Sequence, residues 1–130
     1  MKLSIPRSEI AKVAGIYLIT CHGNGHIYVG SAVCLSRRFN NHANMLTRNK
    51  HPAKYMQASY LKYGAESFEF TVLEKGVSLE ALHDREQHYL DLYKSYDADI
   101  GFNTCRLAGR PPDLPLQDRI KNAIAWKGKR

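Results

Sequence analysis

The apolar pattern near the start of the chain predicts a β-hairpin. Residues 13–20 and 26–30 are rich in β-branched and aromatic side chains, and the segment CHGNG between them offers glycines and an asparagine that tolerate positive φ. Side chains alternate between the faces of a strand, so the loop length decides which way the two tyrosines of the hairpin point. We predict an even loop, of two or four residues, which places Tyr17 and Tyr28 on the same face.

Two helices are predicted after the hairpin. Apolar residues recur at helical spacing within residues 31–48, and Ser31 and Ser36 are both suitable N-caps. Residues 53–64 form the second predicted helix, and Gly64 is its stop signal. Three side chains of this helix are expected to face inward: Met56, Tyr60 and Leu61.

The second half of the chain predicts one more strand and a longer helix. Phe68, Phe70 and Val72 alternate with polar neighbours, as in a strand with one buried face. A helix is predicted from its N-cap, Ser78, with an apolar stripe that reaches Tyr93. This order of elements corresponds to an α+β fold in which a small three-stranded antiparallel sheet is flanked by helices.

One position in the stripe of the long helix holds an unexpected type of residue. The stripe runs through Leu79, Leu82, Glu86 and then Tyr89 or Leu90, so a carboxylate occupies a slot where helical periodicity favours an apolar side chain. Burying an unpaired carboxylate costs several kcal/mol. Glu86 therefore either pairs with an arginine or reaches an open rim, where it binds a positive group.

The composition limits the location of the protein and the kinds of site it contains. A chain of 130 residues is expected to form one domain, and no apolar run is long enough to span a bilayer. Three cysteines without a CxxC pair fit reduced thiols, and their spacing to nearby histidines matches no common zinc module. We therefore expect a cytoplasmic protein that has no membrane partner.

The positive charge of the chain is concentrated in its tail. A net charge of +7 predicts an anionic partner, either nucleic acid or a membrane surface. Residues 106–130 contain seven basic and two acidic side chains, which account for +5 of the total. Residues 116–130 predict a short amphipathic basic helix. We expect residues 108–130 to be a basic tail that binds nucleic acid, the alternative being a solvated charged face. Its candidate contacts are Arg110, Arg119, Lys121 and Lys127.

Several short motifs resemble those of the GIY-YIG endonucleases. The tripeptides GIY at residues 15–17 and YVG at residues 28–30 match the signature that names this family. The match continues through the segments SRRFNNH, DREQHYLDLY and GFN, and it covers roughly residues 13–107. The resemblance implies a nuclease domain over residues 1–107 with the sheet described above. It also implies hydrolysis of DNA phosphodiester bonds with one divalent ion, Mg²⁺ or Mn²⁺.

Carried over position by position, the resemblance assigns roles to seven residues. Glu86 would be the metal ligand, Tyr17 the general base for the attacking water, and Tyr28 the group that positions this water or the phosphate. Arg38 would neutralise the scissile phosphate. The three remaining residues would support the site by hydrogen bonding: His42, His51 and Asn103. Of these, His51 would also contact DNA.

These residue types suit the cleavage of a phosphodiester. Arginine offers a permanent planar fork to phosphate oxygens. A metal ion with a single protein carboxylate keeps most of its coordination sphere for water and phosphate oxygens. A phenol, with an ordinary pKa of about 10, acts as a base near neutral pH only if positive charge stabilises its phenolate. Arg38 and the metal ion are the expected sources of that charge.

The residue after YVG separates the branches of this family. Excision-repair and some restriction relatives have a lysine at the position of Ser31, so the chain resembles the homing endonuclease branch more closely. We expect a free-standing homing or mobile-element nuclease of a phage-like kind, in a bacterial or phage-infected cell. The alternatives are a restriction or structure-specific repair nuclease of the same family, and a non-catalytic module that binds nucleic acid.

Overall fold

The computed structural model describes residues 1–103, which form a mixed four-stranded sheet and three α-helices. The strands are β1 (Lys2–Leu3), β2 (Gly15–Cys21), β3 (Ile27–Ala32) and β4 (Phe68–Lys75). The helices are α1 (Leu35–Thr47), α2 (Lys54–Tyr63) and α3 (Leu82–Tyr93). The expected basic helix and DNA-binding tail, residues 108–130, lie outside the described residues.

The sheet has one strand more than the sequence predicted, and it is mixed instead of antiparallel. The strand order is β1-β4-β2-β3, in which β2 is antiparallel to both β3 and β4. The additional strand β1 pairs parallel with β4, through Lys2 beside Glu69 and Leu3 beside Phe70. A strand of two residues is too short to show a period of two, so the sequence pattern did not reveal it. At the opposite edge lies β3.

The hairpin of β2 and β3 closes with the predicted parity. Tyr17 lies opposite Gly30, and Ile19 lies opposite Tyr28. The backbone N–H of Cys21 donates to the carbonyl of His26, so four residues form the loop. Because the loop is even, both tyrosines project from the same face of the sheet, and their ring centroids are 6.4 Å apart.

Both faces of the sheet are covered. One face packs against α1 and α2 around these buried side chains: Tyr17, Ile19, Phe68, Phe70, Leu35, Phe39, Leu46 and Met56. The other face packs against α3 around a smaller cluster: Ile16, Val29, Leu82 and Leu90. The two phenols therefore lie on the face of α1 and α2, while Glu86 on α3 approaches from the opposite face.

The start of α1 differs from the prediction. Cys34, in an extended conformation, is the N-cap, and the helix begins at Leu35. Ser31 is part of β3, and Ser36 already lies in the first helical turn, so neither serine caps the helix. Both serines have the right side chain for a cap, but the pairing of β3 with β2 determines where the strand ends.

The start of α3 is also later than predicted. Ser78 accepts a hydrogen bond from the Ala81 N–H at both its carbonyl and its hydroxyl oxygen, so it closes a turn ahead of the helix. The helix itself begins at Leu82. Leu79, expected in the apolar stripe, belongs to this turn and is 67% exposed.

In α2 the stop signal is confirmed, but one apolar residue points outward. Gly64 has a φ of +86°, and its N–H donates to the Tyr60 carbonyl. Leu61 is 62% exposed, whereas the polar side chains of Gln57 and Ser59 are buried. Hydrogen bonds of these two side chains to neighbouring loops hold this face inward, so Leu61 lies on the solvent side.

Candidate active site

A chain of hydrogen bonds joins Tyr17 to two histidines. The Tyr17 hydroxyl oxygen lies 2.7 Å from Nε2 of His42, and Nδ1 of His42 lies 2.8 Å from Nε2 of His51. All three side chains are buried. Helix α1 carries His42 one turn after Arg38, and the loop before α2 carries His51.

A backbone donor determines the direction of this chain. The Ala53 N–H donates to Nδ1 of His51 at 3.0 Å, so a neutral His51 carries its proton on Nε2. His51 therefore donates to Nδ1 of His42, and His42 in turn donates from Nε2 to the Tyr17 oxygen. The Tyr17 oxygen is thus an acceptor in this chain, and its own proton is directed elsewhere.

Burial keeps both imidazoles neutral. Desolvation is the main cause that lowers the pKa of His42 to about 3, with smaller contributions from His51 and Arg38. Desolvation also lowers the pKa of His51 to about 4. Neither ring is protonated near neutral pH, so the tautomers assigned above are the resting state.

We predict that these neutral histidines make the fold sensitive to acid. In the unfolded chain His42 and His51 become protonated below about pH 6.5, whereas in the folded protein they stay neutral until about pH 3 to 4. The free energy of unfolding therefore falls as the pH drops from about 6.5 towards 4. Each ring contributes a slope of up to about 1.4 kcal/mol per pH unit. Urea unfolding at pH 7, 6 and 5 should show a shallower decline for His42→Gln than for wild type.

The control for this prediction is His83→Gln, which replaces an exposed histidine of α3. This variant should keep the decline of the wild-type protein. If His42→Gln declines as steeply as wild type, the buried histidines are not the source of acid sensitivity.

Gln57 holds the loop that carries His51. Its Oε1 accepts the His51 backbone N–H at 3.0 Å, and its Nε2 donates to the Leu46 carbonyl at 2.9 Å. The buried amide is therefore satisfied at both ends. Sequence reasoning missed this residue, because a glutamine between two helical apolar residues carries no signal until the loop that it binds is in place.

Two glycines make room for the phenol of Tyr17 and for the strand that carries it. The Tyr17 ring stacks on Phe70, with centroids 4.6 Å apart, and its hydroxyl end lies against Gly30. A Cβ on Gly30 would lie 2.3 Å from the Tyr17 hydroxyl oxygen, and a Cβ on Gly15 would lie 2.1 Å from the Glu74 carbonyl oxygen. The glycines of the tripeptides GIY and YVG therefore leave no room for a side chain at either position.

Both phenols are protonated near neutral pH in this environment. Burial is the main cause that raises the pKa of Tyr17 well above 10, and the neighbouring Tyr28 raises it further. Burial also raises the pKa of Tyr28, followed by the negative charge of Glu86. The charge of Arg38 lowers both values without reversing either shift.

Glu86 approaches the edge strand β3 from the other face of the sheet. The side chain is 9% exposed, and the Ser31 hydroxyl donates to its Oε1. Ser31 and Tyr28 project from opposite faces of β3. Because β3 is the edge strand, the carboxylate and the phenols can meet around this edge. Strand alternation predicts the face of Ser31, but not that Glu86 lies there.

A cluster around Glu74 sets the rotation of α3. The Arg85 guanidinium donates to both oxygens of Glu74, with Nε at 2.9 and 3.2 Å, and the Tyr89 hydroxyl donates to Oε1 at 2.9 Å. Glu74 lies on β4, so these bonds join the helix to the sheet. The arginine next to Glu86 in the sequence is thus engaged elsewhere, and Glu86 is turned towards β3.

Arg38 is exposed at the rim of the site. Its charge lowers the pKa of Tyr17, Tyr28 and His42, which shows that its guanidinium acts on this cluster. Among the ion pairs of residues 1–103, none involves Arg38.

Asn103 binds the backbone of the edge strand. Its Oδ1 accepts the Val29 N–H at 2.8 Å, and its Nδ2 donates to the Val29 carbonyl at 2.9 Å. The Ser95 hydroxyl also donates to Oδ1, at 2.6 Å. Asn103 thus fixes the strand residue between Tyr28 and Gly30, and Ser95 is a supporting residue that the sequence did not indicate.

The residues predicted from the sequence fall into three groups in the structure. One cluster contains four of them: Tyr17, Tyr28, His42 and His51. Glu86 and Arg38 border this cluster, and Asn103 acts on the strand. His51, expected on the DNA side, is 6% exposed and faces His42 instead. Four candidate DNA contacts lie outside the described residues: Arg110, Arg119, Lys121 and Lys127.

The donor set at this rim fits a hard divalent cation. Within residues 1–103, no group of three or more histidine, cysteine, aspartate or glutamate side chains is arranged to hold a metal ion. Magnesium needs no such cage, because it is usually bound through one or two carboxylates and keeps several waters. A single carboxylate beside an edge strand, as provided by Glu86, suits that mode of binding.

The chain belongs to the GIY-YIG family, because its residues 13–98 match the GIY-YIG catalytic domain. It is therefore a DNA endonuclease, that is, a phosphodiester hydrolase, and nucleases of this family generally use a divalent metal. This confirms the resemblance that the tripeptides GIY and YVG indicated. No helix of the described residues has the length and apolar character of a membrane span.

Two solved structures resemble this nuclease domain. A mutant of the catalytic domain of intron endonuclease I-TevI is 27% identical, with a TM-score of 0.64, and the match covers 72% of this chain and 95% of that chain. The catalytic domain of homing endonuclease I-TevI is 26% identical, with a TM-score of 0.61 and coverages of 69% and 98%. A comparison with curated proteins gives no significant match.

Proposed function

We propose that the protein is a homing or mobile-element endonuclease that cleaves DNA with Mg²⁺ or Mn²⁺ held at Glu86. One observation carries the proposal of this site: the Glu86 carboxylate, bound to Ser31 on the edge strand β3, acts electrostatically on the phenols of Tyr17 and Tyr28, which project from the other face of the sheet. The homing role is supported by the similarity to the I-TevI catalytic domain. The free thiols of Cys21 and Cys34 fit action in the cytoplasm of a bacterial or phage-infected cell.

Arg38 supplies the fixed charge for the scissile phosphate. Its planar guanidinium can donate two parallel hydrogen bonds to phosphate oxygens, and it stays protonated through the reaction. Its position on α1, one turn before His42, holds it at the rim where the phenols end. Tyr28, half-buried beside Tyr17, is proposed to orient the attacking water or the phosphate.

Tyr17 is the proposed general base for the attacking water. The hydrogen bond from His42 to its oxygen favours the phenolate over the phenol, and the charge of Arg38 acts in the same direction. A divalent cation bound at Glu86 would supply further positive charge and would polarise the phosphate.

His42 is not a suitable acceptor for the Tyr17 proton. Its Nε2 already carries a proton, and its pKa of about 3 disfavours the imidazolium. The proton of Tyr17 therefore does not pass to His42. His42 and His51 are neutral supporting residues, and His42 donates one N–H to the phenol oxygen.

Residues 108–130 are proposed to add affinity for DNA.

Metal dependence is the test of this function. Supercoiled plasmid incubated with the protein and Mg²⁺ or Mn²⁺ should be nicked or linearised, because phosphodiester hydrolysis needs a cation to neutralise developing charge. A chelator should stop cleavage, and excess cation should restore it. Protein that shifts the plasmid in a gel but never cuts it with either ion would instead be a non-catalytic DNA-binding module.

A further inference from the structure

A small pocket opens at the start of α1, next to the active site. Its volume is about 170 Å³, and it occupies the corner between the end of β3 and the first turns of the helix. Its lining consists of Ala32, Val33, Cys34, Arg37, Arg38 and Asn41. We call it the Arg37 pocket. It borders the active site because Arg38 belongs to both.

The side chains of the Arg37 pocket favour an anion. Arg37 and Asn41 are four residues apart on α1, so they lie on the same side of the helix. Both are exposed, and no ion pair among residues 1–103 uses Arg37 or Arg38. Two guanidinium groups and an amide offer several donors at one place, which is the usual chemistry of a phosphate contact.

The donors of this pocket are side chains and not the helix start. The backbone N–H of Leu35 donates to the Val13 carbonyl at 2.8 Å, and that of Ser36 donates to the Ile10 carbonyl at 3.3 Å. Val33 adds an apolar rim, 63% exposed, of the kind that contacts a sugar or a base. The pocket thus combines a cationic floor with an apolar edge, as expected for one nucleotide of a DNA strand.

We propose that the Arg37 pocket binds the phosphate adjacent to the scissile phosphate on the cleaved strand. This inference rests on the proposed function, since it assumes that Arg38 holds the scissile phosphate. Arg37 and Asn41 donate to the oxygens of the adjacent phosphate, and Val33 packs against its sugar. Arg37 is accordingly a positioning residue: it sets where the strand lies and does not touch the reacting atoms.

Cys34 offers a direct probe of the occupied pocket. Its hydrogen bond with Ser36 and the backbone N–H of Arg37 lower the pKa of the Cys34 thiol to about 7. A thiol of this kind reacts readily with alkylating agents near neutral pH. Cys21 is fully buried, so a Cys105→Ser variant reports on Cys34.

The first test measures DNA binding without metal, so that no cleavage occurs. Binding of a fluorescent duplex by Arg37→Ala should weaken about tenfold, and the slope of log K against log salt should lose about 0.9 in magnitude, since one phosphate contact is lost. Arg48→Ala removes the same charge at the far end of α1 and should change both quantities far less. Equal effects of the two substitutions would show that Arg37 contributes only general surface charge to DNA binding, which would overturn the proposal.

The second test separates positioning from chemistry. Arg37→Ala should raise KM for a DNA substrate about tenfold and leave kcat within about twofold, whereas Arg38→Ala should lower kcat. A loss of kcat in Arg37→Ala equal to that of Arg38→Ala would show that Arg37 contacts the reacting phosphate, against the proposal. A wild-type protein that never cleaves would defeat the proposed function, while the binding comparison above would still decide about the pocket.

The third test uses the thiol. Duplex DNA without metal should slow the alkylation of Cys34 by iodoacetamide at least several-fold in the Cys105→Ser variant, and high salt should abolish this protection. Adding Arg37→Ala to that variant should also abolish it at moderate salt. Alkylation that is equally fast with and without bound DNA would mean that the strand does not enter the pocket.

Discussion

Glu86→Gln should lower DNA cleavage about a thousandfold and leave DNA binding nearly unchanged. The amide has the same shape as the carboxylate and can still accept the hydrogen bond from Ser31, so packing at the edge of β3 is preserved. What is lost is the negative charge that holds the divalent cation, and the charge stabilisation by such an ion is worth several kcal/mol in the transition state. Single-turnover cleavage at increasing Mg²⁺, together with a gel shift without metal, measures both quantities.

Whether Glu86→Gln slows or speeds cleavage distinguishes two roles of the carboxylate: binding the metal ion, or only shifting the pKa values of the tyrosines. The charge of Glu86 raises the pKa of Tyr17 and Tyr28. If it acted only in that way, its removal would make the phenolate easier to form and would speed cleavage. Asp84→Asn, which neutralises an exposed carboxylate on the same helix, should cleave like wild type. Cleavage by Glu86→Gln at the wild-type rate or faster would rule out Glu86 as the metal ligand.

Tyr17→Phe should lower cleavage by about a hundredfold to ten-thousandfold, the usual contribution of a general base. The ring remains, so its stacking on Phe70 is retained. The Nε2–H of His42 loses its acceptor, and we expect a decrease of about 1–3 kcal/mol in the free energy of unfolding. Cleavage rates should be compared at a temperature where unfolding curves show that both proteins are folded.

The pH profile decides whether Tyr17 is the base. With a phenol of raised pKa, the wild-type rate should rise with pH above neutrality, and Tyr17→Phe should lose this rise. The control is Tyr60→Phe, which removes a hydroxyl that contacts Thr47 outside the site and should keep the rise. A Tyr17→Phe variant that is slow but still accelerates with pH would assign the base to another group.

Local patterns predicted the parts of the fold that depend on neighbours in sequence. Alternation and an even loop placed Tyr17 and Tyr28 on one face, and the structure confirms this. The stop at Gly64 is also confirmed. Each of these predictions needs only a period or a turn preference, so a single sequence is sufficient.

The parts that the sequence did not predict depend on contacts between distant segments. β1 exists because Leu3 pairs beside Phe70, and the direction of the histidine chain depends on the Ala53 N–H. The sequence left open whether Glu86 meets an arginine or an open rim. In the structure the adjacent Arg85 donates to Glu74, and the Ser31 hydroxyl donates to Glu86. No periodicity encodes such partners, because they lie 11 and 55 residues apart in the chain.

The low pKa values of the two buried histidines also determine how the protein responds to changes of pH. Histidine commonly makes a site sensitive to physiological pH. Here the values are about 3 for His42 and about 4 for His51, so neither ring changes its charge when the pH drifts between mildly acidic and mildly alkaline values. Acid stress would therefore reduce the amount of folded nuclease without altering the proton arrangement of the molecules that remain folded.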